Sequence, residues 1–230
     1  MTLPKEPHFF DANDDPWPAN SGQYSVDWYN KRCRKCLKDS QRCGDASPTT
    51  MFLDEAVKRV SKAAPDMQWI IVLREPASRA YSQYQMNSER AVFKQEFGKH
   101  LTFEEALEKE VPKTKHELRK RGHAHGVGSK MSHQYLQRGL YMDQIDQILS
   151  RFDRSQLKVI ISEEMHESRD YSAIYDFLGV SNAPKLDVQD KFTNHYEPMR
   201  NATMKRLKKH FKEDNERLFD FLGRRVEAWE

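Results

Sequence analysis

The stretch WIIVLREPASRAYSQY, from Trp69 to Tyr84, decides the fold of this chain. Its first five residues form a continuous apolar run, which is typical of a short β-strand buried on both faces of a parallel sheet. Pro76 stands where the first helical position favours proline, so the sequence predicts a helix from Pro76 to about Arg90. Arg74 follows the strand directly, and ligands of open α/β sheets bind outside the carboxyl ends of the strands.

The junction between this strand and this helix is a candidate anion site. A helix start offers unpaired N–H groups and the positive end of the helix dipole. Arg74 can add a two-pronged contact to a phosphate, while Arg79 and Ser82 lie three residues apart on one helix face. In the alternative interpretation Arg74 pairs with Glu75 or another neighbour, and Ser82 is a small packing residue. The residues alone leave both interpretations open.

The rest of the chain alternates helices with one further apolar strand. The sequence predicts that strand at 157–161 and helices at 54–64, from a capping box at 102–105, and at 140–152, 171–178 and 202–222. Residues 11–48 and the basic stretch 112–133 are predicted to be long loops. This order predicts the α/β class, with a parallel sheet flanked by helices in a single domain spanning residues 1–230.

Composition and charge limit the classes of function. The chain has 230 residues, of which 37% are hydrophobic and 32% charged, as in globular proteins with a heavily charged surface. A net charge of +3 gives no indication of a nucleic-acid partner. No apolar run reaches the roughly 20 residues that cross a bilayer.

Two groups of residues raise the question of a metal. Cys33, Cys36 and Cys43 are close in sequence, and a local disulfide, unpaired thiols and a metal site all stay open for them. The histidines of the basic stretch lack regular zinc-ligand spacing, so no metal site is predicted there. That stretch is either a solvated loop or a patch for an anionic polysaccharide.

Five motifs follow one another in order: Lys5–Asp11 (KEPHFFD), Gly44–Thr49 (GDASPT), the R-x-P-x-x-R-A-x-S-x-Y pattern of 74–84, Tyr135–Tyr141 (YLQRGLY), and SEEM at 162–165 with FLG at 177–179. Together they resemble the sulfotransferases that use 3′-phosphoadenosine 5′-phosphosulfate (PAPS) to sulfate carbohydrates, including the heparan sulfate group. The resemblance implies a P-loop NTPase-like sulfotransferase fold. It also implies transfer of a sulfuryl group from PAPS to a hydroxyl or amine of a carbohydrate, with PAP as the product.

The resemblance implies catalytic roles in the first motif. Glu6 would be the general base that removes the acceptor's proton. His8 and Asp11 would orient the acceptor or tune Glu6, and Lys5 would stabilise charge on the sulfuryl group or the acceptor.

For the donor, the resemblance implies that Arg74 and Ser82, with Arg79 beside them, bind the 3′-phosphate. Lys191 and Tyr196 are candidate contacts to the nucleotide.

The sequence departs from this family in two places. Family members carry a K-x-G-T-like loop for the 5′-phosphosulfate before KExHFFD, and nothing before Lys5 matches it, so we expect the chain to be truncated at its N-terminus. Ala46 stands where heparan 3-O-type enzymes carry a lysine.

An active enzyme would reach the Golgi lumen, and touch the membrane, only through a missing N-terminal anchor. The alternative is an inactive module that binds nucleotide or glycan. A kinase is disfavoured, because no GxxxxGK[ST] occurs.

Overall fold

The structure is a computed structural model that describes residues 6–11, 29, 31, 43–110, 133–180 and 196–230. In chain order the helices are α1 (Asp54–Ala63), α2 (Pro76–Glu89), α3 (Val92–Phe97), α4 (Phe103–Lys109), α5 (Tyr141–Leu149), α6 (Ser162–Ser168), α7 (Ser172–Leu178) and α8 (Asn201–Leu222), and the strands are β1 (Trp69–Leu73) and β2 (Leu157–Ile161). Of the predicted site residues, Lys5 and Lys191 lie outside the described residues. So do most of the two predicted long loops and two cysteines, Cys33 and Cys36.

The chain divides into two compact units. The first comprises 1–67, 111–132 and 143–152, and the second comprises 68–110, 133–142 and 153–230. The single domain predicted for residues 1–230 stays a prediction.

In the first unit, α1 buries a stripe of small and β-branched side chains. Ala56, Val57 and Val60 are spaced for one helix face and are buried. Arg151, just after α5, forms an ion pair of 3.0 Å with Asp54, the first residue of α1. Asp54 also places a negative charge in the first turn of α1, where the helix dipole favours it.

The second unit contains the parallel sheet. β1 pairs with β2 in parallel, with a register running from Trp69 opposite Leu157 to Leu73 opposite Ile161. The prediction that the apolar run of β1 is buried on both faces is wrong. Ile70 and Val72 remain 36% and 51% exposed, because nothing in the described part of the chain covers the face on which they lie.

The core of the second unit lies beside α2. It consists of buried residues from α2, α3, α4, α8 and the segments between them: Ala77, Ala80, Phe93, Leu101, Phe103, Ala106, Leu107, Tyr135, Leu207 and Phe211. Gly139 allows the YLQRGLY segment to approach Phe211 of α8 and Pro76 of α2 closely. A Cβ atom at this position would lie 2.6 Å from Cε1 of Phe211 and 3.2 Å from Cβ of Pro76. Only glycine therefore lets the YLQRGLY segment fit between α8 and the start of α2.

Candidate functional site

In the first unit, the segment from Glu6 to Asp11 places two carboxylates around one imidazole. Nδ1 of His8 lies 3.1 Å from Oδ2 of Asp11, and Nε2 lies 3.7 Å from Oε2 of Glu6. The side chain of Asp11 is fully buried, whereas those of His8 and Glu6 are 27% and 45% exposed. The row thus opens to solvent at Glu6.

The backbone of His8 adopts a conformation that few residues other than glycine adopt. Its φ of 49° lies in the left-handed region, at a cost of about 1–2 kcal/mol. Two hydrogen bonds hold the segment there: His8 N donates to Oγ of Ser47 (3.0 Å), and Nη1 of Arg59 in α1 donates to the carbonyl of Phe10 (3.0 Å). Strained backbone of this kind is maintained where the surrounding structure fixes it, as at many functional sites.

Charges around His8 favour its protonated form. The hydrogen bond to Asp11 raises the pKa of His8 above its ordinary value of 6.5, and the negative charges of Asp11, Glu6 and Asp45 act in the same direction, although partial burial opposes them. A protonated His8 donates a hydrogen bond to Asp11, whereas its 3.7 Å separation from Glu6 is that of an ion pair. This imidazole can therefore hold the Glu6 carboxylate near it by charge attraction.

In the second unit, the start of α2 already has an anionic partner. The buried carboxylate of Glu75 caps this helix: Oε1 accepts from Ala77 N (3.0 Å) and Oε2 accepts from Ser78 N (2.6 Å). The expectation of unpaired N–H groups at this helix start is thus wrong for Ala77 and Ser78. An internal carboxylate supplies the negative charge that the helix dipole favours.

Arg74, at the carboxyl end of β1, keeps its guanidinium available. The residue is exposed, and within the described residues its side chain makes no hydrogen bond or ion pair, so the alternative pairing with Glu75 is absent. Its backbone is held instead: the hydroxyl of Tyr141 donates to the carbonyl of Arg74 (2.7 Å). Burial raises the pKa of Tyr141 to about 12, so this hydroxyl keeps the proton that it donates.

Arg79 lies on the same helix as Ser82, but its guanidinium turns towards the protein. Nη1 donates to Oε1 of Gln83 (2.7 Å), and Nη2 donates to the carbonyl of Tyr135. Burial lowers the pKa of Arg79, in spite of nearby negative charges that raise it. These contacts favour a structural role for Arg79, and its predicted contact with phosphate stays a prediction. Ser82 is half-buried on α2.

Tyr196 is placed against α2 by an aromatic contact. Its ring meets that of Tyr81 edge to face, with centroids 5.5 Å apart. The hydroxyl of Tyr81 in turn donates to the carbonyl of Glu197 (2.7 Å). Tyr196 therefore packs against the face of α2 that carries Tyr81, and its contact with a nucleotide stays a prediction.

Two residues without a predicted role contact the segment from Glu6 to Asp11, and a third supports them. Ser47 accepts from His8 N, and the ring of Tyr29 stacks on Phe9 with centroids 4.8 Å apart. Asp45 supports Ser47, because its Oδ1 accepts from Ser47 N (2.9 Å). The GDASPT motif was the available signal for the pair Asp45 and Ser47. Glu75 was visible in the sequence as well, at the residue before a helix-starting proline.

The described ranges hold neither a metal-ligand cluster nor a helix suited to cross a membrane. No group of three or more histidine, cysteine, aspartate or glutamate side chains is arranged to hold a metal ion there. None of the helices in those ranges combines the length and apolar character that crossing a bilayer requires.

Comparison with known proteins gives two kinds of relative, while no protein-family model matches the chain. The mouse heparan sulfate glucosamine 3-O-sulfotransferase 6 is 34% identical over 82 residues, which is 36% of this chain and 21% of that protein. The human heparan sulfate glucosamine 3-O-sulfotransferase 3B1 is 34% identical over 79 residues, or 34% of this chain and 18% of that protein. The chain thus matches about a fifth of the length of these curated relatives.

A solved structure gives a broader match. The crystal structure of a sulfotransferase from Alicyclobacillus acidocaldarius aligns with a TM-score of 0.64 and 27% sequence identity, over 97% of this chain and 85% of that chain. The structural match and the partial sequence matches together support a sulfotransferase family for this chain.

Proposed function

We propose that the protein transfers a sulfuryl group from PAPS to a hydroxyl or amine of a carbohydrate, with Glu6 as the general base. The observation that carries the proposal is the row Glu6–His8–Asp11, in which the exposed carboxylate lies 3.7 Å from an imidazole whose other nitrogen faces a buried carboxylate. A base of this kind has to be held in one orientation to act on an approaching hydroxyl.

The chemistry assigns a task to each member of the row. The acceptor oxygen attacks the sulfur of PAPS in line with the bond to the 5′-phosphate. That bond breaks, its electron pair leaves on the phosphate oxygen of PAP, and the acceptor's proton passes to the carboxylate of Glu6. His8 orients Glu6 and Asp11 orients His8. Lys5 is proposed to stabilise the charge that develops on the sulfuryl group.

We place the donor's 3′-phosphate at Arg74 and Ser82. Support comes from Arg74, which follows a parallel strand at its carboxyl end and has an exposed guanidinium without an internal partner among the described residues. An exposed guanidinium without an internal partner can bind a phosphate without first breaking an ion pair. Lys191, Tyr196 and Arg79 are proposed as further contacts of the donor.

Titration of PAP by isothermal calorimetry tests the donor site. Arg74→Ala removes one charge-assisted contact worth about 1.5–3 kcal/mol, so the affinity for PAP should fall roughly tenfold to a hundredfold. Arg90→Ala is the matched control, because Arg90 is an exposed arginine at the opposite end of α2. Equal affinities of wild type and Arg74→Ala would remove the 3′-phosphate from this position.

The relatives support a proposal for the acceptor class. Their names identify heparan sulfate glucosamine as their substrate, which supports an anionic polysaccharide as the acceptor of this protein. A catalytically inactive module that binds nucleotide or glycan is the alternative, and binding of PAP without any sulfate transfer would favour it. Location in the Golgi lumen stays a prediction.

A further inference from the structure

We propose that Ser47, held by Asp45, is a positioning residue that fixes the left-handed conformation of His8 and thereby the orientation of Glu6. The inference rests on the proposed function, since it assigns a supporting part to the same catalytic row. It concerns contacts within the first unit only.

The contact between the two motifs is a hydrogen bond to the backbone of His8. His8 N donates to Oγ of Ser47 (3.0 Å), and this bond joins residues 39 positions apart in the chain. Ser47 is buried, so no water replaces its hydroxyl readily. Loss of the hydroxyl would leave the N–H of His8 without this acceptor. It would do so at a residue whose left-handed backbone already costs free energy.

Asp45 fixes Ser47 in turn. Oδ1 of Asp45 accepts from Ser47 N (2.9 Å), which sets the position of the serine backbone. Burial raises the pKa of Asp45, while hydrogen bonding by the Ser47 and Tyr29 groups lowers it. A hydroxyl has one proton and two lone pairs, so an O–H of Ser47 donated to Asp45 leaves a lone pair of Oγ for His8 N.

The conformation of His8 determines what its ring can reach. With φ at 49°, Nδ1 faces Asp11 and Nε2 faces Glu6 on opposite sides of one ring. A return to the extended backbone that most residues prefer would turn the side chain away from this row. Ser47 therefore acts on the base through His8, without touching the reacting atoms.

Two readouts test the proposal together: the kinetics of sulfate transfer and the titration of the His8 ring by NMR. Ser47→Ala should lower kcat by about tenfold to a hundredfold, as expected for a small misplacement of a catalytic group, and leave KM for PAPS unchanged. The midpoint of the His8 titration should fall towards 6.5, because the ring leaves Asp11. The charged groups around His8 are Glu6, Asp11 and Asp45, with Arg59 bound to the neighbouring Phe10 carbonyl.

Matched variants separate positioning from general damage. Ser61→Ala removes an exposed serine hydroxyl from α1 in the same unit and should change neither readout. Asp45→Ala should reproduce Ser47→Ala, whereas Asp45→Asn keeps an oxygen that can accept from Ser47 N and should restore most of both readouts. If Ser47→Ala does not give a cooperative melt, the two Asp45 variants decide.

Each outcome supports or overturns the inference. A fall in kcat together with a shifted His8 titration supports it, and a change in only one of the two readouts overturns it. If the wild-type protein transfers no sulfate at all, the proposed function fails. In that case the His8 titration alone still shows whether Ser47 fixes the histidine.

Discussion

Replacement of Gly139 by alanine tests how tightly the YLQRGLY segment packs on the start of α2. The new Cβ would lie 2.6 and 2.8 Å from Cε1 and Cζ of Phe211, distances that real Cβ atoms do not tolerate. Phe211 is fully buried in the core of the second unit, so its ring has little room to move away. Overpacking of this kind costs about 1–3 kcal/mol. For a chain of 230 residues we therefore expect a fall in Tm of about 2–12 °C.

Thermal unfolding followed by circular dichroism measures this effect. Gly44→Ala is the control, because a Cβ at Gly44 has nothing within 4 Å and the residue does not have a positive φ. The control should be neutral, or stabilising by up to about 1 kcal/mol through a less flexible unfolded chain. Equal melting temperatures of Gly139→Ala and wild type would refute the packing described for this segment.

Three further predictions concern single contacts. Glu75→Ala removes the cap of α2 and should lower the free energy of unfolding by about 0.5–2 kcal/mol in urea titrations; no change would mean that the cap contributes nothing. Tyr141→Phe removes the hydrogen bond to the Arg74 carbonyl, at a cost of about 0.5–1.5 kcal/mol by the same measurement, and a more stable variant would contradict the assigned bond. Because the folded-state pKa of His8 lies above 6.5, protonation of His8 stabilises the fold fully below that pH, and this contribution disappears as the pH rises through the folded-state pKa. His8→Gln should therefore flatten the dependence of stability on pH above about 6, and an unchanged profile would contradict the raised pKa.

Local patterns predicted most of the secondary structure. Both strands match their predicted bounds, and the helices that end at Gly179 and Gly223 do so in the left-handed conformation that favours glycine there. The two helices that were not predicted, α3 and α6, are short, with six and seven residues, and begin without a side-chain cap. Too few residues are available in either for a periodic pattern to form.

The sequence pointed to the candidate catalytic residues, but it did not indicate which distant residues contact them. The resemblance carried by five ordered motifs singled out Glu6, His8 and Asp11, which lie within six positions of one another. The support from Ser47 bridges 39 positions, and such long-range contacts depend on how the chain folds back on itself. The exposure of Val72 was mispredicted for a related reason. An apolar residue in a strand does not show whether another element covers its face.

Transfer of labelled sulfate from PAPS to a heparan-type polysaccharide tests the central claim most directly. The wild-type protein in its full natural length should transfer sulfate, and Glu6→Gln should do so about 10²–10⁴-fold more slowly, because the amide keeps the shape of the carboxylate but cannot take up the proton. Its affinity for PAP should stay unchanged, and Glu55→Gln, at an exposed glutamate of α1, should leave transfer unaffected. Full activity of Glu6→Gln would contradict the assignment of the base. A wild-type protein that binds PAP and transfers no sulfate would contradict the proposed reaction itself.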